Sequence, residues 1–407
     1  MSVIFTRHFN FDTIIRFIIY SYIFFIPFSH APSIIGPYFT LPFIISIFII
    51  SCTFLLLLSK GRISRYNYTH LILLFFLVFY VLMNTFFLNL TPKPIPYLFA
   101  YLWFPIFIFS LSYLSSNITL DYRIILSILT IGFSISLVYN FLEIIDLISN
   151  SNIFSLPRYD REVYKFYSPI GFRVRGFNYE SGNYGFYINV CFIFIYSNIR
   201  SFKLRLIVII MAAVALLLSF SSFHLVVFLL FIIPYLYFYE KKKLKLSFFY
   251  FILAFVFMTI IYVTNNFNIV LDGFDLILSK FNSYVTGSGS ESGEVRNLLL
   301  MNAINQIDLY PIFGEGLSSF YYYQESGYNN IYLQVFQQLG FFGGVIFFSV
   351  VIYPCIIYIL NNRKLDYKVV IFFVSMLSMW FIGDFWVPQL FIFYLIIANK
   401  KTVLIKG

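Results

Sequence analysis

Residues 38–59 read YFTLPFIISIFIISCTFLLLLS, a run without a single charged side chain. A helix crossing the hydrocarbon of a bilayer needs about 20 mostly apolar residues, and this run supplies them. Working outward, comparable runs occupy 11–28, 70–88, 96–114, 124–148, 182–198, 204–220, 222–239, 246–263, 331–360, 368–382 and 386–399. The last two are short and are compatible with one re-entrant hairpin. The expected fold is therefore all-α, a polytopic helical bundle of about 12 membrane helices. Arg16 interrupts the first run and no small-x-small cleavage site follows, so this segment is expected to stay in the membrane.

Composition agrees. With 60% hydrophobic and 11% charged residues and a mean hydropathy of +0.86, no soluble core could enclose this much apolar surface. The abundance of Phe and Tyr carries no functional weight, because lipid-facing and interhelical packing account for it. Cys52, Cys191 and Cys355 all fall inside expected spans, which excludes a disulfide framework in the loops. No His, Cys or carboxylate spacing resembles a metal site and no Gly-rich nucleotide loop occurs, so neither metal nor cofactor is expected.

The positive-inside rule orients the chain. With the N-terminus in the cytoplasm, Arg7, the Lys60–Arg65 group, Arg123, the Arg200–Arg205 group, the Lys241–Lys245 run, the Arg363–Lys368 group and the C-terminal lysines all lie on the cytoplasmic side. The net charge of +10 is thus largely a topology signal and not a nucleic-acid footprint. The organisation expected is helices 1–5 over 1–148, a large outer loop at 149–181, helices 6–9 over 182–263, a second large outer loop at 264–329, and helices 10–12 over 330–407. Long loops in a compact bundle are usually kept for function.

The first loop ends in Arg173-Val-Arg175-Gly176-Phe-Asn178-Tyr-Glu180-Ser-Gly182-Asn183 and runs straight into a helix. In an extended segment Arg173 and Arg175 point the same way, and their planar guanidinium forks suit a phosphate or diphosphate beside free helix N–H groups. An anchor for lipid headgroups is the competing reading. In the second loop, Gly287–Gly293 reads as a flexible link and Ser292 as an N-cap. Leu300, Ala303, Ile304 and Ile307 then form the apolar stripe of an amphipathic helix with Arg296 in its first turn. Pro311 ends that helix, Gly314 and Gly316 permit a tight turn, and Gly340 with Gly344 reads as a small-xxx-small packing pair. His224, in the turn Ser219–His224, either supplies a donor or is packed.

The order Arg296-x-x-Leu299, Pro311-x-x-Gly314-x-Gly316, Asn329-Asn330-x-Tyr332-Leu333-Gln334 and Gly340-x-x-Gly343 resembles the signature of the O-antigen ligase and O-antigen polymerase superfamily. The resemblance implies periplasmic loops, a bacterial inner-membrane location and transfer of a glycan from undecaprenyl diphosphate, without metal, onto an incoming lipid-linked repeat unit. It also implies a repeat-unit flippase and a chain-length regulator as partners. Where the family often has His, this chain has Asn329, which cannot exchange a proton near neutral pH and favours the polymerase over the ligase. On this reading Arg173, Arg175 and Arg296 stabilise the departing diphosphate. Glu180 orients and deprotonates the acceptor hydroxyl or pairs with one of the arginines. Asn183, Tyr322, Asn329 and Asn330 contact sugar or phosphate. The acids Glu143, Asp146 and Asp384 leave a different class open, an ion-coupled flippase or transporter, and a membrane scaffold is a further alternative.

Overall fold

The computed structural model describes residues 11–29, 40–60, 65–88, 94–149, 175–178, 181–219, 221–234, 291–322, 330–362, 366–380 and 389–397. The apolar runs within these residues fold as helices, and among the described residues there is no strand. The chain is a polytopic helical membrane protein, with seven helices long and apolar enough to cross a bilayer. The run at 246–263 lies outside the described residues.

The helices are α1 (Phe11–Phe25), α2 (Leu41–Lys60), α3 (Arg65–Leu88), α4 (Pro94–Asn117), α5 (Tyr122–Ser149), α6 (Ser181–Asn198), α7 (Phe202–Ser219), α8 (Ser222–Val227), α9 (Glu291–Leu309), α10 (Ile331–Asn362), α11 (Tyr367–Met379) and α12 (Phe391–Ile397). A π turn over Phe228–Ile232 continues α8. The polar links between these helices separate them because buried backbone must stay hydrogen-bonded, and in lipid only a helix achieves that alone.

Two enclosed helices organise the bundle. The α4 helix packs against α2, α3, α10 and α12, and α6 against α5, α7, α8 and α11. Their faces carry large rings: Trp103, Phe104 and Phe107 of α4 meet Phe391 of α12, and Phe104 stacks on Phe347 of α10 at 5.7 Å. By contrast α3 exposes Phe75, Phe76 and Phe79, and α10 exposes Phe341 and Phe342. Such contiguous apolar exposure suits a surface solvated by acyl chains and not by water.

At one end of the bundle Asp366 caps α11, accepting from the Lys368 N–H at 3.1 Å and the Val369 N–H at 3.4 Å. The Lys368 ammonium lies over the rings of Tyr122 and Tyr358, at 5.5 and 5.4 Å. At the other end, hereafter the loop end, α1 and α5 finish, α6 begins, and both motif-bearing segments are gathered.

Three local readings of the sequence change. The α9 helix starts at Glu291, so the end of the Gly287–Gly293 stretch is helical instead of a flexible link. Its buried stripe is Leu299 and Ala303, packed with Phe320, Tyr97 and Leu333, while Ile304 is exposed. Ala303 is buried as expected, but Leu299 takes the place of Leu300, because packing selects the side of α9 that meets Phe320.

The third change concerns Gly340. It is not a contact residue in a continuous span but a break in α10, with φ 67° and ψ −177°. Gly343 supplies the close interhelical approach instead, because a Cβ there would lie 2.2 Å from the Tyr80 ring of α3. Beyond the break, Phe341–Asn362 rises about 1.5 Å per residue and is on the order of 30 Å long, sufficient to cross the bilayer without the first half.

Candidate functional site

The second loop is built onto the helix break. Interrupting a helix releases carbonyls on one side and N–H groups on the other, and buried ones require partners. The segment Pro311–Gly316 provides them. The N–H groups of Phe341 and Phe342 donate to the carbonyls of Pro311 (2.7 Å) and Ile312 (3.1 Å), and those of Glu315 and Gly316 donate to the carbonyls of Gln337 (3.0 Å) and Gln338 (3.1 Å). The two backbones approach so closely that a Cβ on Gly314 would lie 2.4 Å from the Gln338 carbonyl oxygen. One on Gly340 would lie 2.3 Å from the Gly314 nitrogen. Gly314 and Gly340 both have positive φ, so glycine is required there twice over.

Side chains complete the joint. Gln337, fully buried, donates from Nε2 to Glu315 Oε2 and to Ser319 Oγ, both at 2.7 Å. The Ser318 N–H donates to Gln338 Oε1 at 3.1 Å. From α3, the Tyr80 hydroxyl lies 2.7 Å from the Leu339 carbonyl oxygen and Asn84 Nδ2 donates to that of Phe313 at 3.0 Å. Asn330 is the N-cap of α10, its Oδ1 accepting from the Leu333 N–H at 3.1 Å. Of the second-loop residues singled out from sequence, Asn330 thus holds the helix start. Arg296 is placed in α9 as a backbone position and Tyr322 in the short 3-10 turn Ser319–Tyr322. Their side chains and Asn329 lie outside the described residues.

The first loop re-enters the bundle as a turn closed by the Asn178 N–H donating to the Arg175 carbonyl at 3.0 Å. Gly176 sits at φ 55°, where a Cβ would meet the Tyr184 ring at 3.0 Å. Glu143 of α5 receives this turn. Its Oε2 accepts from the N–H groups of Arg175 (3.2 Å) and Gly176 (2.9 Å), and its Oε1 lies 3.9 Å from Arg175 Nε. Phe177 stacks on Tyr139 at 4.1 Å and packs at a tilt against Phe28 at 4.5 Å. Asn178 Oδ1 accepts from Ser29 Oγ (2.9 Å) and Gln389 Nε2 (3.1 Å), joining the ends of α1 and α12 to the turn. Asn183 is buried in the first turn of α6. Arg173, Glu180, Asp384 and the Asp146 side chain lie outside the described residues.

Arg175 is therefore partnered by Glu143. From sequence Glu180 is one candidate for that role and Glu143 only leaves a transport alternative open, because no spacing rule links positions 143 and 175. His224 is packed: its Nδ1 lies 2.9 Å from Ser221 Oγ, its carbonyl accepts from Asn189 Nδ2 at 3.0 Å, and Gly185 leaves the space its side chain occupies. Glu315 and Gln337 were missed. The available signal was an acid flanked by two glycines in a chain with only 17 Asp and Glu.

No group of three or more His, Cys, Asp or Glu able to hold a metal occurs among the described residues. What the loop end offers is arginine, amide and carboxylate groups held by helix ends at the boundary of an apolar bundle, a setting for anionic, amphipathic molecules. The protein is thus an integral membrane protein with an elaborated polar end.

Residues 206–348 match the family model described as O-antigen ligase. The matched stretch contains α9, the Pro311–Gly316 turn and the Gly340 break, so the resemblance drawn from the second-loop motif holds at the level of the family model. The first-loop arginines lie outside it. No curated protein matches the chain.

Proposed function

We propose that this protein is a glycosyltransferase of the bacterial inner membrane that resembles the O-antigen polymerase, elongating a glycan carried on undecaprenyl diphosphate at the periplasmic face. The observation that carries the reading is the family match over 206–348, which takes in the ordered Arg296, Pro311–Gly316, Asn330–Gln334 and Gly340–Gly343 elements.

The chemistry needs few groups. The acceptor hydroxyl oxygen bonds to the anomeric carbon, the bond from that carbon to the diphosphate oxygen breaks, and its electron pair leaves with undecaprenyl diphosphate. Stabilising that charge at fixed arginines in a poorly hydrated site is the main contribution such a protein can make. Arg173, Arg175 and Arg296 are assigned to it, and Asn183, Tyr322, Asn329 and Asn330 to sugar or phosphate contacts. A carboxylate must orient the hydroxyl, and Glu180 beside the arginines is the candidate read from sequence. A repeat-unit flippase and a chain-length regulator are the partners such a reaction would use.

Asn329 in place of a proton-exchanging His favours the polymerase over a ligase acting on lipid A core. A transport reading is weakened because Glu143 is engaged by the Arg175–Gly176 turn. The test is an assay of purified protein with an undecaprenyl-diphosphate-linked repeat unit and no added metal, comparing wild type with Arg296→Ala. A ladder of longer lipid-linked products that falls about 100-fold or more in the variant is expected. Transfer only when lipid A core is supplied would make the protein a ligase, and inactivity with both acceptors would overturn the enzyme reading.

A further inference from the structure

Several departures from ordinary backbone and packing rules converge on one side chain of the second loop. Gly314 and Gly316, at φ 76° and 106°, flank Glu315. Three residues later Ser318, at φ 61°, is the one positive-φ residue other than glycine among the described residues. Across from them α10 is broken at Gly340, and the carbonyl freed on Gln337 accepts the Glu315 N–H at 3.0 Å. The same Gln337 donates its side-chain amide to the Glu315 carboxylate at 2.7 Å. Glu315 is thus held at backbone and side chain by one fully buried residue.

On the same stretch of α10, before the break, Gln334 Oε1, Gln337 Oε1 and Gln338 Nε2 are buried without hydrogen-bond partners. Buried polar atoms left in that state cost free energy and call for an explanation. Residues in sparsely populated backbone conformations cluster at functional sites, and a carboxylate fixed through a supporting residue is how a reactive group is preorganised.

Other described acids fit less well. Glu143 is committed to the Arg175–Gly176 turn, and Asp308 is exposed near the end of α9. We infer that Glu315 is the group that orients the acceptor sugar hydroxyl and takes its proton, with Gln337 as its positioning residue. The inference rests on the glycosyl-transfer reading and replaces Glu180 in the proton-accepting role. The hydroxyl proton passes to a Glu315 carboxylate oxygen as the hydroxyl oxygen bonds to the anomeric carbon. The diphosphate leaves with the electrons of the broken bond.

The deciding experiment measures elongation of lipid-linked repeat units by purified wild type, Glu315→Gln, Glu315→Asp and Glu180→Gln. Glutamine keeps an oxygen to accept from Gln337, so a purely structural Glu315 tolerates the change. A proton acceptor does not: kcat is expected to fall about 100-fold or more with KM within about threefold, Glu315→Asp to recover part of the rate, and the loss in Glu315→Gln to exceed that in Glu180→Gln. Glu315→Gln within a few-fold of wild type would overturn the inference while leaving the transferase reading intact. So would a 100-fold loss confined to Glu180→Gln. An inactive wild type would instead overturn the transferase reading, and this inference with it.

Discussion

The two segments that close the loop end are held by opposite means. The first-loop turn Arg175–Asn178 is held largely by side chains: the Glu143 carboxylate, the Tyr139 and Phe28 rings on Phe177, and Ser29 and Gln389 on Asn178. The second-loop segment Pro311–Gly316 is held mainly by backbone, through four hydrogen bonds to the interrupted α10 where two glycines leave no room for a Cβ. Side-chain contacts fail one at a time, and truncating one removes its own share. A backbone joint tolerates changes at its outward side chains but not at its glycines.

That contrast can be broken in a graded series read by thermal unfolding in detergent, each variant against wild type. Gly340→Ala should have the largest effect, about 3 kcal/mol or more, because its Cβ meets backbone atoms that cannot yield and its φ is unfavourable for an L side chain. A loss below 1 kcal/mol would show that the segment separates readily from α10.

Phe177→Ala should cost about 2–3 kcal/mol, the low end for a buried aromatic, since it removes the contacts with two rings at the edge of the core. Glu143→Gln keeps an acceptor for the two N–H groups but drops the charge facing Arg175. With both side chains partly solvated, about 1 kcal/mol is expected, and lipid-linked elongation should change through KM more than through kcat. Gly344→Ala should be smallest, within about 1 kcal/mol, because the atoms nearest its Cβ belong to the Phe336 side chain and not to backbone. If Gly344→Ala proved as damaging as Gly340→Ala, the small-xxx-small reading of this stretch would return.

The helices were legible because each described span is an apolar run bounded by polar links, and α1 matches its expected limits of 11 and 28 once the 3-10 turn Ile26–Phe28 is included. The break in α10 was not legible, since glycines four apart are the same signature whether they admit a neighbouring helix or end a helical segment. Nor was the pairing of Glu143 with Arg175. A carboxylate near a helix end reads as functional in an apolar chain until the loop that returns to it is seen. In the second loop, the order of Pro311, Gly314, Gly316 and Gly340 was visible as a motif, but its physical meaning, a loop backbone docked on an open helix, required the fold. Glu315 occupies the variable position of that motif, where the pattern itself carries no chemical signal.

The measurement that bears most directly on the account is a cryo-EM map of the whole protein in lipid nanodiscs with undecaprenyl diphosphate bound. The account predicts diphosphate density at the loop end, within hydrogen-bond reach of the Arg175 and Arg296 guanidinium groups, with the Glu315 carboxylate on the side open to an acceptor. Diphosphate density at the Asp366 end of the bundle, or away from both arginines, would contradict it.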